Sequence, residues 1–563
     1  MTSNDERSIW QKFWALIAYE RKEIFYIHVY AVLTGFISLS LPLGIQSLFS
    51  FISAGQISTS VIVLIGLIFT GVLAEGGLQV MQLYLLEHIQ QKIFTRTAFE
   101  FSLIIPAIRQ ESLYNHYPPE LVNRFFEVVT LQKSLGKVLM DFATAFLQLA
   151  FGLVLLSFYH TYFIFFGAIL AIILAGILYF TGRPGLDASL IESGYKYRLV
   201  HWLQEIARAH STFKMSGNAA GLEKTDTYTT HYLEARNRHF KILIIQYMSF
   251  VGFKSLITAA LLIVGCILLV NKQINLGQFV ASEIIIILIM NAVEKVMTQL
   301  DSVYDLLTGA EKLSHVTSMP IQTFGTLSME PNNNATVPAL RVRDLHYMPP
   351  GSNRFVFKGV SFDVMRGQHA CIISESSQAR NHLVSLLMGM AQHYEGSIAV
   401  DGLSMRDIKE ESLYSFLAGN NDQELFSGSI LDNVRPGRGQ VSLPQITSAL
   451  SIAGLDNFLH TQSHGLSTQL KGSVWIPKAV AEKLVLARCI AARPRLLILV
   501  DPLVHVANNE RDEILQRTLD ELKGATVLFI CKDDMSCAGN GPRWKFADGK
   551  LKEIRPAANS QQL

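Results

Sequence analysis

Charge is scarce in this chain. Asp, Glu, Lys and Arg make up 17% of its 563 residues against 50% hydrophobic, which excludes the disordered and fibrous classes and an ordinary soluble enzyme. Neither sign dominates: 48 basic and 46 acidic residues leave a formal net charge of +2, too balanced to draw nucleic acid by bulk charge. Cysteine is sparse too. Cys266 lies in an apolar run, and Cys371, Cys489, Cys531 and Cys537 are scattered without CxxC spacing. That pattern predicts free thiols in a reducing compartment and no metal site. What the chain has in excess is long apolar runs, all before about residue 310, followed by a stretch of globular composition. It reads as a membrane half joined to a soluble half.

Six stretches are long and apolar enough to cross the hydrocarbon, at about 26 to 50, 59 to 83, 138 to 158, 161 to 182, 245 to 270 and 276 to 298. The first is expected to stay in the mature protein, because Trp10, Trp14 and several charges precede it and no small-residue cleavage site follows. Residues 1 to 25, 84 to 135 and 183 to 245 carry eighteen Lys and Arg, whereas the opposite side carries one, Lys272. Positive segments stay in the cytoplasm, so the N-terminus, both long loops and the soluble half are expected inside. The amphipathic periodicity of those loops predicts that the membrane helices run on into the cytoplasm. Ile9, Trp10, Phe13, Trp14 and Ile17 recur at helical spacing, as expected of an amphipathic helix lying in the headgroup plane ahead of the first crossing.

Ionisable residues within spans are costly, and Glu75, Lys254 and Glu283 stand out as candidates for a polar cavity lining. By helical rise, Glu75 and Lys254 each lie about 24 Å from the outer end of their helices, a depth at which they could pair, and Glu283 lies about 12 Å in. A structural ion pair, or solvation on the cytoplasmic extensions, is the competing reading for the first two.

Residues 319 to 338 lack periodicity and cluster Pro, Asn, Gly and Thr, marking a linker. Asn334-Ala-Thr matches a glycosylation acceptor by chance on the cytoplasmic side. Beyond it, LRVRDLHY (340 to 347), VSFDV, HACII, RLLILV (495 to 500) and ATVLFI (525 to 530) read as strands separated by helices, the first from about Asn381. Continuous apolar strands alternating with helices indicate a buried parallel sheet and α/β architecture.

Several segments carry a family resemblance: SLYNHYPPELVNRFF (112 to 126), LFSGSILDNV (425 to 434) and LVLARCIAARPRLLIL (484 to 499). Taken with the order of six spans, linker and α/β half, the chain resembles a half-size exporter of the ATP-binding cassette type, nearest to bacterial peptide and protein exporters. The resemblance implies an α-helical six-span membrane domain over residues 1 to 318, a linker over 319 to 338, an α/β ATP-binding-cassette domain over 339 to 555 and a disordered tail over 556 to 563.

The same resemblance exposes losses. A phosphate-binding loop needs glycines for converging N–H groups, a Lys for the terminal phosphates and a Ser or Thr for Mg²⁺. The corresponding segment runs from Ser374 to His382 without a glycine. Ala379 precedes Arg380, which stands at the Lys position, Asn381 replaces the Mg²⁺ hydroxyl, and Glu375 adds negative charge. A planar guanidinium does not substitute for a compact ammonium. The loop glutamine corresponds to Asn421, the Mg²⁺-associated carboxylate to Val500, the catalytic Glu to Asp501 and the switch His to Lys532. The signature becomes Ile476-Pro477-Lys478-Ala479-Val480, in which Pro477 has no N–H to give. Of the expected set only the adenine-stacking aromatic, Tyr347, is retained, and aromatics are common in strands for other reasons. No GKS, GKT or SGGQ occurs elsewhere.

The resemblance further implies a multi-pass protein of the cell inner membrane with its cassette in the cytoplasm, working as a homodimer or as a heterodimer with a related half-transporter. A periplasmic adaptor enters by analogy alone. The expected cofactor is none, or weakly bound ATP and Mg²⁺, and ATP hydrolysis is expected to be absent or very weak. Three functions stay open: a transport subunit with a non-hydrolysing cassette, a non-transporting structural or regulatory pseudo-transporter, and an active exporter using atypical residues such as Arg380, Asp422 and Asp501.

Overall fold

The computed structural model describes residues 9–53, 59–114, 116–159, 161–217, 219–330, 336–420, 425–436, 441–471, 476–533 and 541–554. Asn421, Asp422, Cys537 and the tail from 555 lie outside the described residues. The chain divides into two compact units, Met1–Pro106 with His116–Met319, and Ala107–Asn115 with Pro320–Leu563.

The first unit is helical. Its main elements are α1 (Ile9–Ile17), α2 (Arg21–Ile37), α3 (Ser40–Ser53), α4 (Thr59–Ala107), α5 (Ala143–Ser157), α6 (Thr161–Arg208), α7 (Ala219–Val270), α8 (Leu276–Thr298) and α9 (Leu300–Thr317). Among the described residues, six helical stretches are long and apolar enough to cross a membrane. Helices α4, α6 and α7 contain 49, 48 and 52 residues, far more than the ~20 that a bilayer requires. The first stretch is not one rod: α2 stops at Ile37, Ser38 turns its hydroxyl onto the Gly35 carbonyl at 2.8 Å, and α3 begins with Pro42 in its first turn. Helix α8 starts where Asn275 and Gln278 exchange side-chain to backbone hydrogen bonds of 2.7 and 2.9 Å, a reciprocal N-terminal cap.

Burial in this unit is uneven. Phe163, Phe250, Ile285 and Ile289 lie in a core shared by α5, α6, α7 and α8, whereas the apolar window of α4 has no buried residue. Helix α1 forms as expected, burying Phe13 and Ile17 and leaving Trp10 and Trp14 exposed. It is joined to α2 by a 3-10 turn whose Glu20 pairs with Arg96 of α4 at 3.4 Å.

The second unit is α/β. A four-stranded sheet has the order β2-β1-β4-β5, built from β1 (Leu340–Tyr347), β2 (Phe357–Val364), β4 (Glu395–Val400) and β5 (Leu403–Ser404). A six-stranded sheet has the order β12-β11-β3-β10-β9-β6, built from β3 (His369–Ile373), β6 (Leu417–Asn420), β9 (Leu496–Val500), β10 (Thr526–Cys531), β11 (Arg543–Ala547) and β12 (Lys550–Ile554). The short pair β7 (Ser427–Ser429) and β8 (Gln469–Lys471) stands apart. Strands β11, β3, β10, β9 and β6 run parallel. Their apolar continuity has the expected cause. Leu497, Leu499, Val527 and Phe529 enter one core while Leu496, Ile498, Leu528 and Ile530 enter the other, so neither face meets water.

Helix α10 (Ser377–Leu387) begins four residues before the expected start, because Ser376 caps it by accepting the Ala379 N–H at 3.2 Å. Helix α11 (Lys478–Ala491) begins directly after Pro477, whose ring is compatible with a helix start. The cysteine expectation needs correction: Cys371 is disulfide-bonded, while Cys266 is free and Cys489 and Cys531 are buried thiols.

Candidate functional site

The carboxyl ends of parallel strands are where an open α/β sheet takes its ligand. Here those ends carry the residues singled out from the sequence. Strand β3 runs into Ser374, whose N–H donates to the Cys531 carbonyl at 2.9 Å, and the chain then enters α10 through Glu375 and Ser376. Arg380, in the first turn of α10, is buried. Its Nε donates to Asp501 Oδ2 at 2.8 Å and its Nη1 to the Ser374 carbonyl at 2.5 Å. Asp501 follows β9 with φ of 38°, the left-handed region, and its Oδ1 accepts the Lys532 N–H at 2.9 Å. Val500 is partly buried at the end of β9, and its backbone is gripped by Asn420, which donates to the Val500 carbonyl at 3.0 Å and accepts its N–H at 2.7 Å.

The structure thus brings Ser374, Arg380, Asp501 and Lys532 together. Ala379 is buried beneath them and Asn381 is exposed. His382 points elsewhere: its ring lies 5.3 Å from that of Tyr347, centroid to centroid. Tyr347 is only 4% exposed, packs against Phe357 as well, and burial pushes its phenol up to about 12. Burial also lowers the His382 imidazole, favouring the neutral ring. In the segment Ile476 to Val480, Pro477 and Lys478 are exposed, and the Pro477 carbonyl accepts the N–H groups of Val480 and Ala481 at 2.9 and 3.0 Å.

Sequence reasoning missed three polar contacts of this unit. Glu482, almost fully buried in α11, accepts the His505 N–H at 3.0 Å and pairs with His505 Nδ1 at 2.6 Å. The side chain of Asn420 is the second. The third is Glu111, whose Oε1 accepts the N–H groups of Gln392 and His393 at 2.7 and 3.0 Å. Beside it Gln322 donates its backbone N–H to Ala107 at 2.7 Å and its side chain to Met390 at 2.6 Å. Within the second unit, Ala107, Arg109 and Glu111 are therefore hydrogen-bonded to residues 320 to 322, 392 and 393, so part of the expected linker is fixed there.

In the membrane helices, Glu75 and Lys254 do not pair. Lys254 donates to Glu294 of α8 at 2.6 Å, and Glu75 accepts from Gln79 of its own helix at 3.4 Å. Depth along a helix leaves the direction of each side chain around the helix axis undetermined. Glu283 Oε1 is buried without a hydrogen-bond partner and lies beside Gly265 of α7, where a Cβ would sit 3.8 Å from it. Among the described residues no group of three or more His, Cys, Asp or Glu could hold a metal ion.

Comparison with solved structures decides the architecture. The structure of a bacterial Atm1-family ABC exporter with ATP bound superposes with a TM-score of 0.84 over 95% of each chain, at 14% sequence identity. This chain has the ABC-exporter fold. Its six apolar helical stretches and its α/β cassette are the two parts of that fold. In sequence the chain is similar to an ATP-dependent lipid A-core flippase of Saccharophagus degradans, 26% identical over 247 residues, which are 42% of this chain and 41% of the flippase. It is also similar to the uncharacterized ABC transporter ATP-binding protein YwjA of Bacillus subtilis, 29% identical over 178 residues, or 31% of each chain. These matches span less than half of either relative. No family model matches the chain.

Proposed function

We propose that this protein is a membrane transport subunit of the ABC-exporter type, dimeric and resident in the cell inner membrane, whose cassette does not hydrolyse ATP. The observation that carries the transport reading is the superposition on an exporter over 95% of both chains, membrane helices included. The domain limits proposed are 1 to 318 for the membrane domain, 319 to 338 for the linker, 339 to 555 for the cassette and 556 to 563 for the tail.

The loss of hydrolysis is argued from chemistry at the strand ends. Phosphoryl transfer depends on positioning and on charge neutralisation by metal, ammonium and backbone donors. The solved exporter holds ATP, yet the corresponding residues here do not fit Mg·ATP. Val500 offers no carboxylate to a metal, Asn381 no hydroxyl, and the loop before Arg380 no glycine through which N–H groups could converge on phosphates. Tyr347 presents almost no surface on which adenine could stack, because His382 and Phe357 cover it. In a head-to-tail pair of cassettes the altered segment 476 to 480 would impair the opposite wall of each site as well.

The test is ATP turnover by the purified full chain in nanodiscs. No turnover above background is expected, and Asp501→Asn changes nothing. Turnover at ordinary exporter rates that Asp501→Asn abolishes would defeat the proposal and establish the active-exporter reading. The pseudo-transporter reading would be established if reconstituted protein moves no cargo while copurifying stoichiometrically with another membrane complex.

A further inference from the structure

The misfit to Mg·ATP has a positive side. The groups that face the carboxyl edge of the six-stranded sheet are bonded to one another. Arg380 bridges the end of β3, through the Ser374 carbonyl, to the end of β9, through Asp501. In the sheet order these strands are separated by β10, and the end of β10 is included, because the second oxygen of Asp501 accepts the Lys532 N–H. One strand further, the Asn420 amide ties β6 to the backbone of Val500 on both its donor and acceptor sides. Four adjacent strand ends, β3, β10, β9 and β6, are thus stitched by three side chains. Arg380 is buried and Asp501 only a quarter exposed, so the pair is shielded from solvent.

We propose that Arg380 is the resident organiser of this cassette: its guanidinium, rather than a bound nucleotide, holds the phosphate-loop segment, and the Arg380–Asp501 pair locks the cassette in one state that no nucleotide controls. The inference rests on the reading of the cassette given above and adds to it the device that makes the cassette insensitive. Charge balance argues for it. In a nucleotide cradle a cation faces phosphate, and its carboxylate neighbours face a metal. Here the cation faces the carboxylate directly, so both charges are satisfied without either external group, and an entering phosphate would have to displace Asp501 from a buried, charge-assisted hydrogen bond. Asp501 adopts a left-handed φ of 38°, a region in which Asp is enriched among residues other than glycine.

The experiment is hydrogen exchange of segment 374 to 382, with the unfolding midpoint, on the full chain in nanodiscs with and without millimolar Mg·ATP. The wild type is expected to show slow exchange that Mg·ATP leaves unchanged. Arg380→Met and Asp501→Asn are each expected to speed exchange about tenfold or more and to lower the midpoint, because Asp501→Asn leaves the buried guanidinium without its counter-charge and Arg380→Met removes the bridge between the ends of β3 and β9. The exchanged pair, Arg380→Asp with Asp501→Arg, is expected to recover much of both losses, and Arg380→Lys, which keeps the charge but lacks the fork, to recover part. Should the single variants not fold, the exchanged pair and Arg380→Lys still report on the lock. Protection of 374 to 382 that appears only with Mg·ATP, or single variants that exchange as slowly as the wild type, would overturn the proposal. These readouts are independent of turnover and of transport: absence of cargo movement would count against the transport reading and leave the lock intact.

Discussion

The His382 ring rests against Tyr347 at 5.3 Å between centroids, with its Nε2 buried and unpartnered. Burial depresses the imidazole below its ordinary value of 6.5, so the folded cassette holds the neutral ring while the unfolded chain binds a proton. The stability contributed by this neutral ring is therefore complete above 6.5 and declines as pH falls from there toward the folded value. His369, lowered by burial in the same way, adds to the decline. The unfolding midpoint of the purified chain should drop between pH 7.5 and 5.5, and His382→Phe should reduce that drop. An unaltered pH dependence in His382→Phe would show that the ring is not kept neutral by this packing.

Glu111 is expected to anchor residues 107 to 114 within the second unit. Truncation to Ala leaves the N–H groups of Gln392 and His393 without their acceptor, a loss of about 1–3 kcal/mol if water does not replace it. Glu111→Gln keeps an acceptor oxygen at the same reach and should cost less than half as much. Denaturant midpoints of the two variants, compared with proteolysis at the joint, provide the check.

Lys254 and Glu294 should behave as a pair and Lys254 and Glu75 should not. Each side chain of the Lys254–Glu294 pair is more than one-third exposed in a single chain, so a coupling of about 0.5–1 kcal/mol is expected from a double-mutant cycle using Lys254→Gln and Glu294→Gln. The corresponding cycle with Glu75→Gln should give none. Equal coupling in both cycles would contradict the arrangement of α7 and α8.

Glu283 has no polar partner beside Gly265, which makes it a candidate for cargo or proton contact. Under the proposed transport function, Glu283→Gln removes the carboxylate charge offered to cargo or proton and should lower transport in a vesicle assay about tenfold or more, while leaving the unfolding stability within about 1 kcal/mol of the wild type. Full transport by the variant would remove Glu283 from any functional role.

The Glu482–His505 contact is expected to hold the start of α11 against the turn after β9. Glu482→Gln retains the acceptor for the His505 N–H but loses the charge facing Nδ1, so it should destabilise by about 1 kcal/mol, and Glu482→Ala by more. A chemical denaturation series separates the two.

The sequence alone determined the number and order of the spans, the positions of β1, β2, β3, β9 and β10 but not of β4, β6, β11 or β12, and the residue types at the strand ends. These are properties of local pattern: apolar length, strand continuity and residue type, none of which depends on what lies across space. It also placed Glu75 and Lys254 at one depth, since rise along a helix is linear in residue number. Only the tertiary structure decided that Lys254 turns to Glu294, that Arg380 closes on Asp501, and that Tyr347 is covered by His382 and Phe357. Those outcomes depend on the lateral order of helices and strands and on the direction of each side chain around its own axis, and a one-dimensional pattern leaves both undetermined.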